Sequence, residues 1–464
     1  MKALFLIDGE HYIPVNRDGI AEVARRRGYE VLGAVFIGGT EKIGSLDDLK
    51  ELGLPVVTDD DPIAAIAAAI RKFRPDVAVD LSDEPIVSAQ KRFELANLIL
   101  ALGVIYEGAD FRFSPPVYEK VCEKPSISIV GTGKRVGKTA LGAYVARVLS
   151  GQENVEADYN PCIVTMGRGG PPEPEIIRGE DLEITPEYLL SESRSGKHAA
   201  SDHYEDALMT RLTTIGCRRC GGGFAGVVFS SVVPDGARVA NGLPSDFVIF
   251  EGSGASMPPV ETDAWILAVG AGQSLAYING YMGPYRIRKS DLCVLTMCEE
   301  PMADARKIAE MEAHIRELNP AIRILKTIFR PRPLEDITGE KVLFTTTAPD
   351  TVAASLRNHL QEQYSCEVVG ISHHLSNRPK LRADIAEIIK KASPTVLLTE
   401  LKAAAVDVST AMGLEAGLRV VYADNAIMEL EGEPEPASEM VKLAELAIER
   451  FNSSGQESGA KEVK

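Results

Sequence analysis

The stretch Ser126–Ser150, SISIVGTGKRVGKTALGAYVARVLS, constrains the fold more tightly than any other part of the chain. It reads as strand, glycine loop and helix. Ser126–Val130 is a short apolar run rich in β-branched residues, suited to a buried parallel strand. Gly131, Gly133 and Gly137 give a loop with little steric bulk. From Lys138 onward, Leu141, Tyr144, Val145, Val148 and Leu149 recur at helical spacing. Lys138 and Thr139 therefore open a helix, where free backbone N–H groups and the helix dipole favour an anion. The pattern departs from G-x-x-x-x-G-K-[ST] at one place: Thr132 holds the first glycine position and Gly131 precedes it. The physical requirements are still met by a flexible backbone, a lysine for the β- and γ-phosphates and a hydroxyl for Mg²⁺. The predicted ATP phosphate site consists of Gly131, Thr132, Gly133, Lys134, Val136, Gly137, Lys138, Thr139 and Ala140.

With 464 residues, 45% hydrophobic and 25% charged, the chain has apolar material for two or three domains. Its net charge of −17 argues against a general nucleic-acid binder. An anionic substrate would need a local Arg and Lys cluster to override that field. Seven cysteines, an odd number without a signal-peptide pattern, fit a reducing cytosol and a cytoplasmic protein. Ala3–Ile7 is too short for a signal segment or a membrane span, and no stretch reaches transmembrane length. The polar tail after Asn452 predicts a frayed end.

Residues 1–118 predict an N-terminal Rossmann-like, doubly wound α/β domain. Strands at Ala3–Ile7, Glu30–Ile37, Val77–Leu81 and Val104–Tyr106 alternate with helices at Arg17–Gly28, Pro62–Phe73 and Gln90–Leu102. Ligands of such sheets bind at the carboxyl ends of strands, here Asp8–His11, Gly38-Gly39 and Asp80–Asp83. The same acidic loops also suit a solvated surface. Residues 119–330 predict the P-loop ATP-binding catalytic domain, and residues 331–464 a C-terminal α/β domain.

Within the central segment, the strand Cys162–Met166 ends in Gly167-Arg168-Gly169-Gly170, which can bring backbone and guanidinium onto a phosphate. Glu187–Ile215 reads as helical, with Lys197, His198 and His203 in its approach. Cys217-Arg218-Arg219-Cys220 has three readings. It is half of a zinc site completed by His198 or His203, an anion pocket using Arg218 or Arg219, or a solvated connection. Val227–Ser230 reads as a strand. Phe247–Phe250 is another, with Glu251 at its tip as the second Mg²⁺ partner beside Thr139. Asp202 and Glu205 are further candidates for orienting groups or Mg²⁺ ligands. Arg286 and Arg288 point the same way if Tyr281–Lys289 is a strand or turn, and Glu299-Glu300 follows a strand near the nucleotide. In the third segment, His373-His374 lie at a strand end, Lys402 opens a helix through Gly413, and Pro434–Phe451 is a final amphipathic helix.

Two motifs together resemble dethiobiotin synthetase: Gly131–Thr139 is similar to its GTxTxVGKT loop, and Glu251–Gly254 to its EGAGG motif. Lys134 replaces a threonine of that loop. SHHLSNRPKLRADI and LLTELKAAAVDV look faintly like the C-terminal part of the lipid A 4′-kinase family. Across the whole chain, LIDGEHYIPV, GTGKRVGKT, MGRGGP, GKHAASDHYEDAL, CRRCGGG, FEGSGAS and ELKAAAVDVSTAMGLEAG resemble the archaeal cyclic 2,3-diphosphoglycerate synthetase family. That resemblance implies a cytoplasmic, Mg²⁺-dependent enzyme that uses ATP to close 2,3-bisphosphoglycerate into an internal phosphoanhydride. It also implies K⁺ stimulation and a homodimer. The candidate catalytic residues are Lys134, Lys138, Arg168, Lys197 and His198. The candidate substrate residues are Arg168, Gly169, Lys197, His198, His203, Arg218 and Arg219. Alternatives are a kinase of a small phosphorylated metabolite and a nucleotide-switched scaffold or metallochaperone.

Overall fold

The computed structural model describes residues 1–153 and 155–461. The chain divides into two compact units. The first comprises Met1–Val117, Ser274–Lys289 and His314–Pro320; the second holds Tyr118–Gln273, Ser290–Ala313 and Ala321–Lys464.

The first unit is built on β1 (Lys2–Ile7), β2 (Glu30–Phe36), β3 (Val56–Val57), β4 (Val77–Asp80), β5 (Ile105–Glu107) and β6 (Arg112–Phe113). Their order is β3-β2-β1-β4-β5-β6, all neighbours parallel except the antiparallel pair β5–β6. This is the doubly wound order with its switch point between β1 and β4. The carboxyl ends there converge on Asp8. Its carboxylate accepts the Glu10 and Asp83 backbone N–H groups at 3.0 and 2.7 Å and contacts a ring nitrogen of His11 at 3.0 Å. The helix Ile13–Arg27 starts four residues before its predicted start, because Pro14 sits in its first turn, where no N–H is required.

The second unit carries a 13-stranded sheet. Its strands are β7 (Ser126–Gly131), β8 (Pro161–Gly167), β9 (Glu175–Arg178), β10 (Thr213–Cys220), β11 (Ser230–Ser231), β12 (Phe247–Glu251), β13 (Ala264–Gly270), β14 (Leu292–Thr296), β15 (Arg323–Pro333), β16 (Lys341–Thr345), β17 (Glu367–Ser372), β18 (Val396–Glu400) and β19 (Arg419–Glu429). The order is β11-β10-β8-β12-β7-β13-β14-β15-β19-β18-β16-β17, with β9 on β10.

Strand β15 joins two arrays, the second parallel and the first parallel except for β9 and β11, which pair antiparallel with β10. Its first half, Arg323–Lys326, pairs parallel with β14; its second half, Thr327–Pro333, pairs antiparallel with β19. Strands β16 to β19 are parallel to one another. Because β15 leaves the first array at its carboxyl end and β19 leaves the second at its own, the two sets of carboxyl ends face each other. Segments 119–330 and 331–464 therefore share one continuous sheet.

A large core lies under the phosphate-loop helix, Lys138–Leu149. Leu141, Val145, Val148 and Leu149 pack there with Ile127, Ile129, Ile249 and Ile266, and with Met440, Leu443, Ala444 and Ala447 of the helix Pro436–Lys461. That helix runs on to Lys461 where the sequence predicts fraying after Asn452; residues 462–464 of the predicted frayed end lie outside the described residues.

Three local expectations are corrected. Glu187–Ile215 is two short helices, Pro186–Arg194 and Asp202–Thr210, followed by β10. Gly196, at φ 93°, lies in the break, and β-branched Thr213, Thr214 and Ile215 turn the end into strand. Val227–Ser230 contributes only Ser230 to a strand, since glycines at 221–223 and 226 leave the segment irregular. Arg286 and Arg288 sit on a helix, Gly283–Lys289, so they do not share a face; Arg286 is buried and donates to the Met282 carbonyl at 2.9 Å.

Candidate active site

A cavity of about 840 Å³ opens where the two arrays meet. The first array lines it with Lys134, Lys138 and Thr139 after β7, Arg168 and Gly169 after β8, Gly252–Gly254 after β12 and Met297 after β14. The second lines it with Thr346 and Thr347 after β16, His373 after β17, and Glu400 and Lys402 at the end of β18. This is where parallel sheets place ligands.

The phosphate loop is held from both sides. Thr132 is buried; its N–H donates to the Ala268 carbonyl at 3.1 Å and its hydroxyl to Gln273 Oε1 at 2.5 Å. A threonine at the first glycine position thus ties the loop to β13. Gly137 caps the helix with φ 85°, and a Cβ there would strike the Phe329 ring. Only glycine satisfies both conditions. With no side chain capping it, the helix presents its first N–H groups to a ligand. Lys138 Nζ donates to the Gly133 carbonyl at 2.7 Å, and burial lowers its pKa to about 8. Arg135, at φ 60°, donates to the Ser376 hydroxyl at 2.9 Å, joining the loop to the second array.

Of the candidate substrate residues, Arg168, Gly169 and His198 line the cavity with Lys134 and Lys138. The others lie outside its lining. Lys197 is nearly half exposed and bound by Glu175 and Glu192, both at 2.8 Å. His203 is buried between the Ser201 hydroxyl at 3.1 Å and Glu175 at 3.3 Å. Arg218 Nε donates to the Gly170 carbonyl at 2.6 Å and so braces the Arg168 loop from behind. Arg219 is buried, donating to the Gly221 and Ser253 carbonyls, while its Nε has no partner. Burial, followed by the Arg168 charge, lowers its pKa. Cys217 and Cys220 lie three apart on β10, so their side chains face opposite sides of the strand; Cys217 is buried and Cys220 exposed. They do not form a chelating pair.

Behind the loop lies a buried carboxylate cluster of Glu205, Asp206 and Glu251. Glu251 is directed at the phosphate-loop helix, where a Cβ at Gly142 would collide with its carboxylate. Burial raises the pKa of Glu251 and Asp206 well above the carboxylate range, reinforced by the neighbouring acids. Glu205 is pushed by burial to about 8, against the pull of Lys402. Asp202 stands in front of them on the cavity wall.

A divalent cation fits the donor chemistry, though among the described residues no three metal-ligating side chains already surround one point. Thr139 and Asp202 offer hard oxygen donors on the wall, whereas Glu251 lies outside the lining, its Oε1 buried without a partner beside Gly142.

Several cavity residues carry no motif of their own. Glu299 receives a bidentate bond from Arg330, at 2.5 and 2.7 Å. Glu400 accepts from the Thr346 hydroxyl at 2.9 Å and from the Thr347 N–H and hydroxyl at 2.9 and 2.8 Å. Glu299 stands where the sequence places it, just after the apolar strand Leu292–Thr296, and the available signal for Glu400 is that it ends the apolar strand Val396–Glu400.

Family models described as the N-terminal, P-loop and C-terminal domains of cyclic 2,3-diphosphoglycerate synthetase match residues 2–114, 126–328 and 333–426. Proteins named cyclic 2,3-diphosphoglycerate synthetase are similar over nearly the whole chain. That of Methanothermus fervidus is 50% identical, covering 98% of this chain and 99% of its own. That of Methanothermobacter thermautotrophicus is 49% identical, covering 96% and 97%. That of the Rubrobacter xylanophilus strain is 48% identical, covering 92% and 94%. Among solved structures, the hydrogenase maturation factor HypB of Archaeoglobus fulgidus matches 44% of this chain and 82% of its own at 13% identity, with a TM-score of 0.29.

Proposed function

The chain belongs to the cyclic 2,3-diphosphoglycerate synthetase family, and from that premise we propose that it uses ATP to close 2,3-bisphosphoglycerate into cyclic 2,3-diphosphoglycerate, releasing ADP and phosphate. The observation that carries this reading is one cavity in which a phosphate loop shares its walls with Lys134, Arg168 and His198. Such a cavity has cationic groups for more phosphate than a nucleotide alone brings.

In the proposed sequence, an oxygen of one substrate phosphate attacks the γ-phosphorus of ATP. The bond from the γ-phosphorus to the bridging oxygen breaks and ADP leaves. An oxygen of the second substrate phosphate then attacks the phosphorus of the activated first one. Inorganic phosphate departs with the bridging oxygen, and the two substrate phosphates are left joined as an anhydride. A phosphate dianion is already a nucleophile, so the reaction needs no dedicated base. What the protein supplies is position and charge. Lys138 and the helix N–H groups hold the β- and γ-phosphates, Lys134 spans the γ-phosphate and the incoming oxygen, and Arg168 and His198 hold the substrate phosphates. Thr139 and Asp202 on the cavity wall, with Glu251 behind them, would hold Mg²⁺, which when bound neutralises charge on the phosphate oxygens. The same reading carries K⁺ as a stimulating cation, a homodimer and a cytoplasmic location. Among the described residues no helix is long and apolar enough to cross a membrane.

The test is the stoichiometry of turnover. ADP and free phosphate should form in equal amounts, and only when 2,3-bisphosphoglycerate is present. ADP without free phosphate would mean a kinase. ATP turnover indifferent to the anion would favour a nucleotide switch.

A further inference from the structure

We propose that Lys402 reaches from the second array to contact a substrate phosphate in the cavity. The inference rests on the proposed reaction and adds a residue to it. Three observations converge. First, Lys402 follows the carboxyl end of β18 and lines the cavity, with its side chain about a quarter exposed. Second, the backbone holds it there. Its N–H donates to the Glu400 carbonyl at 3.0 Å, and the Glu400 side chain is fixed by Thr346 and Thr347. Ala403, next in the chain, has φ 50°, a conformation that non-glycine residues adopt at a cost and that collects at functional sites. Third, the ammonium is underused. Glu205 Oε1 lies 3.1 Å from Nζ as its ion-pair partner, and Glu400 and Asp202 act on the ammonium through their charge alone. An ammonium has three N–H donors, and a phosphate in the cavity can take those that Glu205 does not.

The bland alternative is that Lys402 exists to neutralise Glu205. A double substitution separates the two. Lys402→Met alone strands a buried carboxylate and is expected to destabilise the fold. Lys402→Met with Glu205→Gln removes both charges and should restore thermal stability. If Lys402 contacts phosphate, the double variant still binds 2,3-bisphosphoglycerate roughly 10- to 100-fold more weakly, as expected for a lost charge-assisted hydrogen bond. Glu205→Gln with Lys402 retained keeps the ammonium and should bind 2,3-bisphosphoglycerate more tightly than the double variant. Binding is read by calorimetry with 2,3-bisphosphoglycerate on the full chain carrying ATP analogue and Mg²⁺. A folded double variant that binds as tightly as the parent overturns the assignment of Lys402. A parent chain that fails to bind 2,3-bisphosphoglycerate overturns the proposed substrate instead, and the two failures are distinct.

Discussion

Asp424→Ala tests the junction on which the cavity depends. Asp424 lies on β19 opposite Arg332 of β15 and is fully buried. Arg332 Nη2 donates to its Oδ2 at 2.9 Å, and Arg147 Nη1 lies 3.1 Å from the same oxygen as an ion pair without a hydrogen bond. Arg147 comes from the phosphate-loop helix and is itself buried, so one carboxylate ties that helix to the strands joining both arrays. Removing one partner of a buried pair costs about 3–5 kcal/mol, because the other charge stays behind unpaired. Here Arg147 keeps Glu153 at 2.7 Å, which places the expected loss near the lower end, about 3 kcal/mol. An exposed pair of similar length, Arg238 with Asp235 at 2.7 Å, should cost below about 1 kcal/mol when broken. The assay is urea unfolding followed by circular dichroism. At a slope near 3 kcal/mol per molar, the Asp424→Ala midpoint should fall by about 1 M, while Asp235→Ala barely moves it. Replacing both partners, as Asp424→Leu with Arg147→Met, should recover much of the loss. An Asp424→Ala midpoint indistinguishable from the parent would mean that this carboxylate does not hold the junction together.

Arg168→Ala should raise the KM for 2,3-bisphosphoglycerate by roughly 10- to 100-fold with a smaller effect on ATP, read in steady-state kinetics. Leu443→Ala opens space in the core under the phosphate-loop helix and should cost about 2–5 kcal/mol in urea unfolding. The carboxylate of Glu175 is held at a pKa of about 2 by its bond to His203 and then by Lys197. A carboxylate lowered in the fold stabilises above its unfolded pKa and loses that contribution as pH falls. Glu175→Gln should therefore flatten the acid limb of stability between about pH 4.5 and pH 2, with no change at pH 7 to 8 in its slope.

What could be read from the sequence was what is encoded locally. Strand, glycine loop and helix at Ser126–Leu149 follow from neighbours a few residues apart, and so do the alternating elements of the first unit. Arg168 and His198 were legible because glycines or short polar runs bring them to strand and helix ends. Lys197, His203, Arg218 and Arg219 sit in the same segments and carry the same chemistry, yet partners distant in sequence decide where they go. Glu175 takes Lys197 and His203, and the Gly170 carbonyl takes Arg218. None of the three readings of Cys217–Cys220 gave it as strand, because β10 is stabilised by pairing with β8 and β9, which local propensity does not report. The second half of the cavity was the least legible. Lys402 reads as the start of a helix, and nothing near it announces that β15 and β19 will turn two arrays of strand ends toward each other.

The most direct measurement of the central claim is phosphorus NMR of a reaction containing the protein, Mg²⁺-ATP and 2,3-bisphosphoglycerate. The account predicts two coupled upfield anhydride resonances growing as the substrate phosphate monoesters disappear, with one ADP and one free phosphate for each ring closed. Intact ATP, or an open-chain phosphorylated product that never closes, would contradict it.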